Sequence, residues 1–281
     1  MIIWLASYPK SGNTWVRSII SSLLYTEDGI FNFKLLKKID QFPKKAYFKE
    51  FINNFNNFNE IKKNWIVVQD KINLDNKVKL FKTHPGKYTV ENDNFTNEDN
   101  SCGVIYVVRD PRNVVKSISN HYSLSIEQSL KIMLSVKIIG NGKDIKEDHL
   151  GIYTLLGTWN DHYRSWTRNK KNLLVIRYED LISNTQIEIE KIIFFLKKYT
   201  DFKTSDSKIK NILKTTSFES LKKMESEDLF IEGVLNKETK SKVKFFNLGP
   251  KNKWKGEVND NIIDSIEKNF EKEMLELNYL N

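Results

Sequence analysis

Three short stretches of the chain carry residue types that can hold or move a charged group. The first is Ser7-Tyr8-Pro9-Lys10-Ser11-Gly12-Asn13-Thr14-Trp15, set between an apolar run and a helical pattern. Gly12 lets the backbone approach a ligand closely, and successive amides ahead of a helix N-terminus cradle a phosphate. Lys10 adds a point charge, Ser11 and Thr14 add hydroxyls, and Trp15 adds a flat stacking face. The hydrolase loop G-x-x-x-x-G-K-[ST] is not matched. Ser7 stands at its first glycine, Asn13 stands at its lysine, and the lysine has moved forward to Lys10. The plain alternative is a strand-to-helix turn with a surface lysine.

The second stretch, Leu80-Phe81-Lys82-Thr83-His84-Pro85, reads as a strand end stopped by proline, where open α/β sheets bring ligands. Lys82 and His84, two residues apart, share one face of an extended chain. A single histidine at such a place is also commonly structural. In the third stretch an apolar run, Val104–Val108, delivers Arg109 at its tip, and a helix opened by Pro111 brings Ser117 back two turns later. An arginine fork with a hydroxyl suits a phosphate. The alternative is an Arg109–Asp110 surface pair.

The elements that position these residues read as an α/β fold. Apolar runs at Ile2–Ala6, Val78–Lys82, Gly103–Val108 and Leu173–Arg177 are expected parallel strands between helical patterns. Helices are expected through Trp15–Leu24, after Pro111, and after Thr185-x-x-Glu188, a capping-box spacing repeated at Thr216-Ser217-Phe218-Glu219. Ile263, Ile266, Phe270, Met274 and Leu277 mark a final helical stripe. Asn32–Asn76 and Leu124–His149, the latter with Gly140-Asn141-Gly142, read as excursions over an acceptor pocket, and Glu225–Lys255 as a long loop. No linker interrupts the chain, so a single domain over residues 1–281 is expected.

The formal charge of +9 favours an anionic partner, but it is spread along the chain rather than gathered as a nucleic-acid stripe. One cysteine, Cys102, allows no internal disulfide and fits a reducing compartment. No signal peptide and no membrane-length apolar stretch is visible, so a cytoplasmic location is expected.

Taken in order, the three stretches resemble the sulfotransferases that use 3′-phosphoadenosine 5′-phosphosulfate (PAPS), in particular the cytosolic type. The resemblance implies a P-loop-like three-layer fold with a central parallel sheet flanked by helices. It implies that Lys10, Ser11, Gly12, Asn13, Thr14 and Trp15 hold the 5′-phosphosulfate, and that Arg109 and Ser117 bind the 3′-phosphate. Lys82-Thr83-His84 matches the family's Lys-Thr-His, with His84 as catalytic base. Tyr178-Glu179-Asp180 and Thr216-Ser217-Phe218 match segments whose Tyr178, Thr216 and Phe218 would meet the adenine. Lys10 would stabilise the leaving phosphate with help from Lys82, and Ser117 would restrain Lys10 until an acceptor arrives. No metal is implied. The expected acceptor is a small hydroxylated or amine-bearing molecule, and neither nucleic acid nor an integral membrane position is expected.

One segment departs from the pattern. The family's closing loop, Phe-x-Arg-Lys-Gly, reads Phe245-Phe246-Asn247-Leu248-Gly249, so Asn247 and Leu248 replace two cations. Lys251 and Lys253 are the expected substitutes. Two other readings stand beside the transferase. A P-loop kinase would need a lysine beside Thr14 and a strand-end aspartate for magnesium. A non-catalytic basic protein holding an anion or RNA would give His84 no role.

Overall fold

A strand with no polar face has to be covered on both sides, and β1 (Ile2–Ser7) is buried along its whole length. The computed structural model describes residues 1–139, 152–227, 230, 234–235 and 242–280. Its central sheet contains β1, β2 (Asp40–Gln41), β3 (Lys79–Thr83), β4 (Ser101–Val108) and β5 (Leu173–Arg177). Their spatial order is β2-β3-β1-β4-β5, and every pairing is parallel. Four of these strands are the ones the apolar runs mark. The fifth, β2, lies inside the Asn32–Asn76 excursion, and its two polar residues give no periodic signal.

Alternation along β1 splits the core in two. Trp4 and Ala6 pack with Val114, Trp159 and Phe270 on one face, while Ile3 and Leu5 pack with Val16, Ile19 and Ile189 on the other. The first face is covered by α2 (Pro111–Tyr122), α3 (Trp159–Thr167) and α8 (Asp260–Glu276). The second is covered by α1 (Asn13–Tyr25), α5 (Thr185–Leu196), which follows the short α4 (Tyr178–Ser183), and α6 (Asp206–Thr215). The result is the three-layer arrangement expected. α7 (Phe218–Ser226) follows α6 directly.

Two caps differ from the sequence reading. Asn184, not Thr185, caps α5 by accepting from the Ile187 amide, while the Thr185 hydroxyl donates to Leu181 at the end of α4. Likewise Ser217 caps α7 by accepting from Ser220, and the Thr216 hydroxyl is spent on Ile212 in α6. In both cases helix follows helix so closely that the threonine still serves the earlier one. Gly140-Asn141-Gly142 and residues 228–229, 231–233 and 236–241 fall outside the described residues; the rest of Glu225–Lys255 is not all loop, because Val234–Leu235 pairs antiparallel with Lys242–Val243 and Gly249–Lys251 forms a short 3-10 turn.

From β1 the chain turns toward β2, and from β4 it turns the other way, toward β5. The crevice between these diverging connections lies at the carboxyl ends of β1 and β4, the place where parallel sheets take ligands.

Candidate active site

The loop after β1 owes its shape to two residues with left-handed backbone, Lys10 at φ 69° and Gly12 at φ 103°. A Cβ on Gly12 would also lie 2.5 Å from the Tyr178 ring, so glycine is required twice over. Asn13, at the position of the hydrolase lysine, turns inward. Its amide donates to the Leu5 carbonyl and to Ser7 Oγ, both at 3.1 Å, tying the start of α1 to the strand. No side chain caps α1 and no acid stands in its first turn, so its positive end is not neutralised from within the helix. Ser11 Oγ and Trp15 Nε1 are buried beside it with no hydrogen-bond partner among the described residues. The Trp15 ring stands edge-on to Tyr178, 5.6 Å between centroids.

Arg109 enters from the tip of β4 and is only 5% exposed. Its guanidinium lies 4.1 Å from the centre of the Tyr178 ring, and Nη2 donates to the Gly249 carbonyl at 3.3 Å. Its Nε has no partner among the described residues. The surface pair with Asp110 does not form, because Asp110 binds Arg112 at 2.7 Å and caps α2 through the Arg112 amide. A buried cation resting on a carbonyl and a ring keeps a hydrogen-bond donor available to a further group. Ser117 lies half-buried on α2, the helix that begins beside Arg109.

The closing segment packs against these groups without supplying charge. Gly249, at φ 50°, lies so close to the Phe218 ring that a Cβ would fall 2.1 Å from it. Asn247 donates to Asn120, and its carbonyl accepts from Lys222 Nζ at 3.2 Å. Leu248 is 37% exposed. Lys251 and Lys253 face solvent, while Asn252 between them turns inward and donates to the Asn113 carbonyl. Lys222 on α7, a residue the sequence reading did not consider, thus reaches this segment from outside. Thr216 is fully buried.

Lys10 Nζ sits over the face of Phe245, 3.8 Å from the ring centre. Phe245 is held there by Glu225, whose carboxylate accepts the amides of Phe245 and Phe246 at 2.6 and 2.9 Å. Burial, with Arg109 and Lys82 nearby, pulls the Lys10 ammonium down to about 7, and Glu225 opposes the shift only in part. Across the crevice, His84 Nδ1 lies 2.9 Å from the Ser7 carbonyl and 3.4 Å from Ser7 Oγ. A carbonyl only accepts, so the proton is on Nδ1 and Nε2 is the basic nitrogen.

His84 also stands on a support that the motifs do not reveal. Tyr106 donates to His162 Nδ1 at 2.8 Å, and His162 Nε2 donates to the His84 carbonyl at 2.9 Å. Trp166 Nε1 donates to the next carbonyl, Pro85, at 2.9 Å. Burial pushes His162 down to about 4, so it stays neutral and keeps this donor–acceptor polarity at pH 7. The spacing Trp159, His162, Trp166 along one helix face was the available signal.

An all-parallel sheet with cations and an imidazole gathered at its carboxyl edge defines an α/β protein of the class that places its ligand crevice there. Residues 2–278 match the family model described as Sulfotransferase domain, and the chain belongs to that family. Sulfotransferase 1E1 of Bos taurus is 25% identical over 275 residues, covering 96% of this chain and 82% of that protein. Sulfotransferase 1 family member D1 of Mus musculus is 26% identical over 198 residues, 70% of this chain and 59% of its own length. Among solved structures, mouse sulfotransferase SULT7A1 complexed with PAP superposes with a TM-score of 0.61 at 21% identity, covering 97% of this chain and 84% of that one. Retinol dehydratase in complex with androsterone and PAP gives 0.56 at 18% identity, covering 97% and 80%. At these identities the structural likeness establishes the fold.

Proposed function

We propose that this chain transfers the sulfuryl group of PAPS to a hydroxyl or amine of a small acceptor. The observation that carries the reading is the buried Arg109 guanidinium, which has no carboxylate partner among the described residues and stands beside the uncapped end of α1. PAPS supplies, when bound, a sulfuryl group attached to a phosphate leaving group. Lys10, Ser11, Thr14, Trp15 and the amides around Gly12 hold the 5′ side of that ligand. Arg109 and Ser117 hold the 3′-phosphate, with Tyr178 and Phe218 beside the base. His84 Nε2 removes the proton from the acceptor as its oxygen or nitrogen attacks. Lys10 stabilises charge developing on the departing phosphate oxygen, and Lys82 assists. With PAPS bound and no acceptor present, Ser117 would restrain Lys10, which in this structure rests on Phe245. Related proteins include an amine sulfotransferase and a 3-alpha-hydroxysteroid sulfotransferase, which favours a small acceptor here too. Among the described residues no helix is long and apolar enough to cross a membrane; a cytoplasmic location is proposed from the likeness to cytosolic-type members of the family.

The test compares adenosine 3′,5′-bisphosphate with AMP in a thermal shift assay. The bisphosphate should stabilise the wild type more than AMP does. In Arg109→Ala that advantage should vanish, with about 1.5–3 kcal/mol of binding lost, the scale of hydrogen bonds to charged groups. Equal shifts by both ligands in the wild type would overturn the 3′-phosphate assignment, and with it the choice of PAPS.

A second expectation concerns protons. With Lys10 near 7 in the free protein, much of it is neutral at pH 8. A bound phosphate favours the ammonium and raises that value, so binding takes up a proton. Bisphosphate affinity should therefore fall as pH rises from 7 to about 9. Calorimetry at pH 8 in buffers of different ionisation enthalpy should detect the uptake. Lys10→Met should abolish it.

A further inference from the structure

His121 lies in the last turn of α2 and is 8% exposed, and its Nδ1 has no hydrogen-bond partner among the described residues. Its ring stands edge-on to Phe245, 5.6 Å between centroids, and the same Phe245 ring carries the Lys10 ammonium at 3.8 Å. One aromatic side chain therefore seats both an imidazole and the cation assigned to the leaving phosphate. The charged and titratable groups around His121 come from each side of the crevice. Lys10 belongs to the loop after β1, Lys82 and His84 to the end of β3, and Tyr122 is the next residue of α2. Glu225 of α7 holds the Phe245 amide. A buried ring nitrogen without a protein partner is open to a hydrogen bond with a water or a ligand, and here it faces the crevice residues that carry Lys10.

We propose that His121 is a further binding residue of the transfer site, its Nδ1–H donating to an oxygen of the sulfuryl group. The proposal rests on the PAPS reading above. Burial, followed by Lys10, Lys82 and His84, pulls the His121 imidazole down to about 3, so it is neutral at physiological pH. Neutrality fits the task. A third cation beside Lys10 and Lys82 would lower their own protonation, whereas an uncharged N–H adds a hydrogen bond without adding repulsion. The contact would be made by PAPS and not by the bisphosphate product, which lacks the sulfuryl group. His121 would thereby favour the loaded donor over the spent one.

Calorimetry on the full chain tests this with two probes, PAPS and adenosine 3′,5′-bisphosphate. His121→Leu should weaken PAPS binding by about tenfold or more while leaving the bisphosphate within about threefold of wild type. His121→Asn, whose side-chain amide reaches the place of Nδ1, should restore PAPS binding to within about threefold. Melting without ligand shows whether the leucine variant folds, and His121→Phe, which keeps the ring packing, carries the comparison where it does not. Unchanged PAPS affinity in a folded Leu or Phe variant would overturn the proposal. So would an equal loss for both ligands, because His121 would then only pack the crevice. A wild type that binds neither ligand would instead sink the PAPS reading itself.

Discussion

His84→Ala should bind adenosine 3′,5′-bisphosphate as the wild type does and turn over roughly 10²–10⁴-fold more slowly, the usual contribution of general base catalysis. Geometry separates the two effects. The imidazole is fastened through Nδ1 to the Ser7 carbonyl at 2.9 Å, at the far side of the loop from the Arg109 end of the crevice. Removing it takes away a proton acceptor and no phosphate ligand. Single-turnover measurement with labelled PAPS and an acceptor found by screening small alcohols, phenols and amines would give the rate. A variant within about threefold of wild type would remove His84 from the chemistry.

Lys10→Met should be almost as damaging, by a different route. A single donor aimed at a developing oxyanion is worth about 10²–10³ in kcat, and Lys10 is half-buried with its ammonium on the face of Phe245. In that setting charge is poorly screened, so an interaction gained only in the transition state counts heavily. The methionine should fill the space over Phe245, leaving the melting temperature without ligand near the wild-type value. The loss should appear in kcat more than in the affinity for the bisphosphate, since the loop amides, Ser11 and Arg109 remain. A loss confined to KM would reassign Lys10 to plain ligand binding.

The sheet was legible because buried parallel strands read as continuous apolar runs, and four of them, including β1 and β4, stand out that way. β2 did not, since two polar residues at a sheet edge carry no period. The crevice was legible where backbone geometry demands a residue type, as at Gly12 against Tyr178. It was illegible where a side chain acts through distant partners. Asn13 read as a ligand of phosphate and its amide instead braces Leu5 and Ser7. Lys251 and Lys253 read as replacement cations from proximity in sequence alone, yet the turn at Gly249 sends them outward and Asn252 inward. Glu225, Phe245, His121 and His162 acquire meaning only when segments from residue 10 to residue 246 are brought together.

The position of β1 also matters before the fold exists. It is the middle strand of the sheet, paired with β3 on one side and β4 on the other, yet it precedes both by about 70–100 residues. At ribosomal speeds of roughly 5–20 residues per second, that separation corresponds to about 4–20 s of synthesis. For that interval Ile2-Ile3-Trp4-Leu5-Ala6 is an apolar β-forming segment with both hydrogen-bonding edges unpaired. The nascent chain is therefore expected to expose this apolar segment early and to cover it fully only when β4 closes the second edge. The same delay makes slow translation between β1 and β4 a condition under which this protein is prone to aggregate.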